Sequence, residues 1–302
     1  MLNKFLNPKN DAAFKRIFGT EKNKDILIHF LNDILGYATN PIEDIVFLKT
    51  VQDPQIAALR TTVVDVMCKD TEGNQFIVEM QLGREPGFEK RAQYYAAKAY
   101  IEQREKGIKY QNLKSIIFLA ITNFTLFPNK KAYLSHHVIL DKDTSEHDLQ
   151  DFSYSFLELP KFKKKKEALT TVTEKWAYFF KRAKNTDPKD LSTIVGSDTI
   201  IQRAFDELDQ YAWTEDELRY YDLVDMKQAA DKAILRGAIE EGEMKGRMEG
   251  RIEGRIEGEM KGKLEGKLEG KLEVAKKMLV ARFSILDIMA MTGLSEEEIK
   301  NL

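Results

Sequence analysis

Between positions 61 and 82, polar and apolar residues alternate in two runs, TTVVDVMC (61–68) and QFIVEMQL (75–82), each rich in β-branched side chains. Both read as strands. The segment between them, Asp70-Thr71-Glu72-Gly73-Asn74, fits a three-residue hairpin loop with Gly73 in the left-handed conformation. That loop sets the register: Asp70 faces Asn74, Met67 faces Ile77 and Asp65 faces Glu79. Side chains alternate along a strand, so Phe76, Val78, Met80 and Leu82 share a core face, while Glu79 and Gln81 share the other.

Upstream the period becomes helical. In residues 7–36, Asn10 or Asp11 caps a segment carrying Phe14, Ile17 and Phe18. A second segment from Lys22 buries Ile26, Leu27, Phe30, Leu31, Ile34 and Leu35 and stops at Gly36. Residues 45–51 predict a strand leading into the hairpin. After it, a helix is expected from Pro86-Gly87 to about Lys106, with Arg91, Tyr95, Lys98 and Glu102 on one face. The unbroken apolar run SIIFLAIT (115–122) predicts a central strand buried on both faces. Residues 138–140 and 152–159 read as later strands. Residues 167–226 read as helical around a loop at 183–190, with Trp176, Phe179, Phe180, Leu218, Tyr221 and Leu223 as packing residues.

Composition narrows the picture. The chain has 302 residues, 43% hydrophobic, enough for one substantial core with appendages. A net charge of −2 gives no global basic field, so any nucleic-acid surface has to be local. The run KFKKKK (161–166) is the strongest basic segment, either solvated or in contact with phosphate. The single Cys68 excludes an internal disulfide and fits a reducing cytoplasm; its place on an apolar strand marks it as a packing residue. The first eleven residues carry no long apolar segment, so no signal peptide is expected, and no run reaches the ~18 apolar residues of a membrane span. His29 reads as a packed helix residue. His136 and His137 are adjacent on a strand, point opposite ways and do not share an ion.

Asp65 opposite Glu79 is unfavourable as structure alone, because like charges directly opposed destabilise a sheet. A divalent cation between them reverses the sign: Mg²⁺ is held by one or two carboxylates plus water and phosphate oxygens. Gln81, two residues on, points at the same place. Asp, then thirteen residues, then Glu-Met-Gln resembles the PD-(D/E)XK nuclease superfamily, and closely the Rpn family of recombination-promoting nucleases, also labelled putative transposases. The matching residues are Asp65 and Glu79-Met80-Gln81, with NDAAFKRIFG (10–19) upstream and Arg91, Tyr94 and Tyr95 downstream. The match spans roughly residues 5–160. Val64 stands before Asp65 where the motif has Pro, and Gln81 stands where it has Lys, a swap typical of this branch.

The resemblance implies an α/β, restriction-endonuclease-like core ordered α-β-β-β-α-β (1–160) with a C-terminal helical extension. It implies a metal-dependent DNA endonuclease in which Asp65 and Glu79 hold Mg²⁺ (or Mn²⁺) and Gln81 orients a water. Cleavage of that kind promotes DNA recombination or horizontal gene transfer. Asp11 either caps the first helix or reaches the metal site as an extra acid. Arg91, Tyr95 and Lys98 form either a DNA-contacting face or an amphipathic packing face. The competing expectation is a catalytically silent DNA-binding or assembly module that works through its tail.

That tail follows a helical segment (161–235) and falls in two parts. In 236–272, Gly recurs at 242, 246, 250, 254, 258, 262, 266 and 270, eight of the chain's 17 glycines, with Met, Ile or Leu at the same period. Each Gly costs a helix about 1 kcal/mol relative to Ala, so the repeat is either a flexible linker or a helix stabilised by self-association. Arg247, Arg251 and Arg255 form one stripe and Glu249, Glu253 and Glu257 another, which suits pairing between copies; a homo-oligomer through residues 242–302 is expected. Residues 273–302 resemble a small helix-turn-helix, with Ser284 as one cap, a turn at Thr292-Gly293-Leu294, and a Ser295/Glu298 capping box. The acidic last helix favours packing over base reading.

Overall fold

The protein is described by a computed structural model covering residues 3–39, 41–49, 51–52, 62–103 and 109–302. It divides into two compact units, Met1–Ala229 and Ala230–Leu302.

Helix α1 (Asp11–Phe18) starts at Asn10, whose side-chain oxygen accepts the Ala12 N–H at 2.9 Å. Asn10 is fully buried and also donates to the Tyr221 carbonyl at 3.2 Å. Asn10 is therefore the cap, which leaves the Asp11 carboxylate available elsewhere. Helix α2 (Lys24–Leu35) ends on Gly36 in the left-handed conformation. Strands β1 (Ile45–Phe47), β2 (Val51–Gln52), β3 (Thr62–Val63), β4 (Val66–Asp70) and β5 (Gln75–Gln81) follow, then helix α3 (Phe88–Glu102). Thr50, Thr61 and Lys106, which the expected strands and helix include, lie outside the described residues.

Next come β6 (Ile116–Thr122), β7 (Leu134–Val138) and β8 (Phe152–Glu158), and helices α4 (Val172–Arg182), α5 (Leu191–Val195) and α6 (Thr199–Asp206). Six strands form one sheet in the order β1-β4-β5-β6-β8-β7, while β2 and β3 form a separate ladder. Strands β5, β6 and β8 run parallel, so their C-terminal residues Gln81, Thr122 and Glu158 lie in register at one end of the sheet. All seven residues of β6 are buried, as its unbroken apolar run predicts.

The hairpin closes as its loop chemistry demands. Gly73 has φ +91°, Asp70 N–H bonds the Asn74 carbonyl, and Met67 pairs with Ile77. The division of β5 into one core face and one polar face does not hold. Phe76 and Val78 pack with α1, α2, α4 and α6, but Ile77 is equally buried against α3. Ala92, Ala96 and Ala99 give α3 a small-residue face that lies close on the sheet. Both faces are thus covered, and Glu79 sits under a helix rather than in water.

Two other expectations shift. The edge strand β7 lies at Leu134–Val138 rather than 138–140; beyond it Asp141 turns the chain by accepting the N–H groups of Asp143 and Thr144. Leu223 is 65% exposed and takes no part in the core. Trp176, Phe179 and Phe180 do pack as expected, in an aromatic cluster with Phe14, Phe18 and Phe30.

Helix α7 (Glu215–Val280) carries the glycine repeat, with α8 (Ile285–Thr292) and α9 (Glu296–Lys300) after it. Ser284 caps α8, Gly293 closes it in the left-handed conformation, and Ser295 with Glu298 forms the capping box of α9. Ala275, Ile288, Leu294 and Ile299 make a small core there. No neighbouring atom lies within 4 Å of where a Cβ would stand on the eight repeat glycines, and the apolar stripe between them is exposed.

Candidate active site

Asp65 lies in a bend just before β4, and Glu79 lies near the end of β5. The hairpin register carries them to adjacent positions. Asp65 Oδ2 accepts the Met80 N–H at 2.8 Å, and the Asp65 N–H in turn donates to the Glu79 carboxyl. Each acid is thereby anchored to the backbone beside the other. Glu79 is only 6% exposed, and its Oε1 is a buried acceptor with no hydrogen-bond partner.

Helix α1 brings a third acid. The Asp11 side chain reaches hydrogen-bonding range of Asp65. Of the two roles expected of Asp11, capping falls to Asn10 instead, and Asp11 joins the site. It does not arrive alone: Lys15, one turn along α1, places its Nζ 3.0 Å from Asp11 Oδ1 and 3.1 Å from Oδ2. The Lys15 charge also bears on Asp65 and Glu79. Its own pKa is raised: burial works against the charge, and the Asp11 bond together with the negative charges of Asp11 and Asp65 outweighs it.

The electrostatics follow from burial. Desolvation is the leading cause that pushes Asp65 up to about 6, with the Asp11 charge adding to it. Desolvation pushes Glu79 up to about 8, and the Asp65 charge adds to that. Lys15 pulls both groups in the other direction and Arg91 does so for Glu79, without cancelling either shift. One lysine beside three carboxyls does not neutralise the cluster.

Gln81 is held at both ends of its amide. Its Oε1 accepts from Arg91 at 2.6 Å, and its Nε2 donates to the Gly83 carbonyl at 3.0 Å and Glu85 at 3.2 Å. Arg91 also pairs with Glu85, and its guanidinium lies 5.1 Å from the Phe88 ring centre and 5.8 Å from that of Tyr95. The residues expected to contact DNA from α3 are therefore engaged within the protein. Tyr95 packs against the α3-side core, and Lys98 lies 3.9 Å from Glu102. Sequence reasoning missed Lys15 and Glu85. Lys15 stands inside the NDAAFKRIFG motif at helical spacing from Asp11, which was the available signal; Glu85 gave none.

The two histidines of β7 part as expected: His136 meets Ser155 at 2.9 Å and His137 meets Ser135 at 3.1 Å. His29 packs 5.8 Å from the Trp176 ring. The basic run is largely spent on ion pairs: Lys161 with buried Glu158 at 2.6 Å, Lys164 with Glu174, and Lys166 with Asp190.

The donor set fits a hard cation. A buried Glu79 with an unsatisfied oxygen stands beside a half-buried Asp65, and Mg²⁺ is commonly held by one or two carboxylates with water and phosphate completing its shell. Among the described residues, no three His, Cys, Asp or Glu side chains form a closed metal cage. Asp11 stands beside the pair, tied to Lys15.

No helix among the described residues is long and apolar enough to cross a membrane. No curated protein and no solved structure matches the chain. Residues 8–237 match the family model described as PD-(D/E)XK nuclease family transposase, and the chain belongs to that family.

Proposed function

We propose that this chain is a metal-dependent DNA endonuclease that hydrolyses phosphodiester bonds at the Asp65–Glu79 pair. The reading rests on one observation above the family itself: a buried Glu79 and a half-buried Asp65 held side by side, the former with an oxygen that no described group satisfies. Asp65 and Glu79 would hold Mg²⁺ or Mn²⁺. When bound, the cation supplies Lewis-acid polarisation of the phosphate and a nucleophilic water at neutral pH.

The other roles belong to side chains of this chain. Lys15 supplies the fixed positive charge that Gln81 lacks, and it approaches from α1 rather than from β5. Positive charge fixed near the scissile phosphate is worth most in a water-poor site. Gln81 holds the Arg91 guanidinium, whose charge acts on Glu79. Opened DNA ends of this kind are substrates for recombination and for horizontal gene transfer. The buried Cys68 thiol, pushed up to about 12 by burial, is inert and agrees with a cytoplasmic setting.

Supercoiled plasmid incubated with Mg²⁺ or Mn²⁺ tests the chemistry. Nicking should occur with wild type, stop with EDTA, and fall by roughly 100-fold or more in Asp65→Ala. Equal nicking by wild type and variant rejects the proposal.

We also propose that the repeat assembles copies of the chain through residues 242–302. Met244, Met248 and Leu264 are 69%, 66% and 69% exposed along it, between stripes of opposite charge. Deletion of 242–270 should reduce the mass seen by light scattering from oligomer to monomer. An oligomer of unchanged order after deletion refutes the assignment.

A further inference from the structure

On α3, Arg91 is held by Glu85 and Gln81. A separate group of cations stands at the end of the sheet. The C-terminal ends of β5, β6 and β8 are aligned, and the Asn123 N–H bonds the Gln81 carbonyl at 2.9 Å. In open α/β sheets, ligands bind at this end of parallel strands. Lys9, two residues before Asp11, donates to Asn123 Oδ1 at 3.2 Å, so it sits where the strand ends meet the acidic site. Just beyond β8, Lys181 donates to the carbonyls of Leu159 at 2.7 Å and Phe162 at 2.6 Å. Those bonds fix the segment that presents the exposed Lys163, and Arg182 follows Lys181 on α4.

Four cations from three separate stretches of sequence thus gather at one end of the sheet. Burial, then the charges of Lys163, Arg182 and Lys9, lowers the Lys181 pKa. The buried acid at the end of β8, Glu158, is already neutralised by Lys161. Gathering like charges costs stability, and a polyanion lying across them offsets that cost.

We propose that Lys9, Lys163, Lys181 and Arg182 form the phosphate-backbone track that seats duplex DNA against the Asp65–Glu79 pair. This assignment rests on the endonuclease reading for the choice of DNA, but its contacts are to phosphate and carry no sequence preference. Lys181 is the structural anchor of the track, whereas Lys163 and Arg182 are its outward contacts.

The test is fluorescence anisotropy with a labelled 30-base-pair duplex, using full-length protein carrying Glu79→Gln so that the probe stays intact. Lys163→Glu with Arg182→Glu should weaken binding at least tenfold and flatten the dependence of affinity on salt. Lys114→Glu with Lys142→Glu makes the same charge change; Lys114 precedes β6, at the opposite end of the sheet, and both residues are exposed. It should change affinity less than twofold. Equal losses from the two double variants, no loss from the first, or tighter binding of an RNA duplex of the same sequence overturns the proposal. Plasmid nicking by the same substitutions in the Glu79 background separates the two claims. A chain that nicks plasmid as wild type and binds equally well with Lys163→Glu and Arg182→Glu refutes the track and leaves the nuclease. A chain that binds through the track but never nicks refutes the nuclease and leaves the track.

Discussion

Glu79→Gln should abolish cleavage and, in metal-free protein, reduce the loss of thermal stability that wild type shows as the pH rises. The two effects have one cause. Glu79 is buried, with an unsatisfied carboxyl oxygen and Asp65 beside it, so its folded-state pKa is raised to about 8. An acid with a raised folded pKa contributes stability that is fully present below its unfolded pKa, near the ordinary carboxylate range. That contribution is lost as pH climbs through the folded value. Wild-type protein without metal should therefore lose stability between about pH 5 and pH 9, as Asp65 and then Glu79 are forced to ionise. Gln resembles the protonated acid and never ionises. The melting temperatures of Glu79→Gln and wild type should coincide near pH 5 and differ by roughly 5 °C or more near pH 8.5, the variant being higher. Divalent cation should restore wild type and leave the variant unmoved. A variant less stable than wild type at about pH 8.5 without metal would mean that Glu79 serves packing rather than chemistry.

Phe18→Ala should cost about 3–5 kcal/mol. Phe18 is fully buried on α1, with ring centres 5.1 Å from Phe14, 5.2 Å from Phe30, 5.5 Å from Phe180 and 5.9 Å from Trp176. Truncation leaves a cavity walled by rings that belong to three helices and do not collapse together. The melting temperature should fall by roughly 10 °C. Because α1 carries Asp11 and Lys15, nicking should weaken at temperatures where the fold itself still stands. Phe18→Leu, which keeps most of the volume, should cost about 1–2 kcal/mol. A melting temperature for Phe18→Ala within a degree of wild type would show that this cluster does not hold α1 in place.

The hairpin was legible in the sequence because its signals are local. A glycine needed for positive φ and two short β-branched runs determine the register that places Asp65 beside Glu79. The continuous run 115–122 was legible for the same reason, since only a central strand buries every side chain. Strand β7 was misplaced toward its C-terminal end because an edge strand of Ser and His, half exposed, carries little alternation. The covering of Glu79 by α3 was not legible, as three alanines on a charged helix give no strong apolar stripe. Lys15 shows the same limit at the site. Its pairing with Asp11 is local, but its approach to Asp65 depends on how α1 packs on the sheet. The lysines of 161–166 look like an open basic patch in one dimension; the fold hands three of them to Glu158, Glu174 and Asp190.

Calorimetric titration of the full-length protein with Mn²⁺ measures directly whether Asp65 and Glu79 hold a divalent cation between them. Wild type at about pH 8 should bind Mn²⁺ with release of protons, and more weakly as pH falls through about 6, because the carboxyls must ionise to ligate. Both Asp65→Asn and Glu79→Gln should lose the binding while remaining folded. Mn²⁺ binding of equal strength in all three proteins, or none in wild type, would contradict a shared cation at this pair.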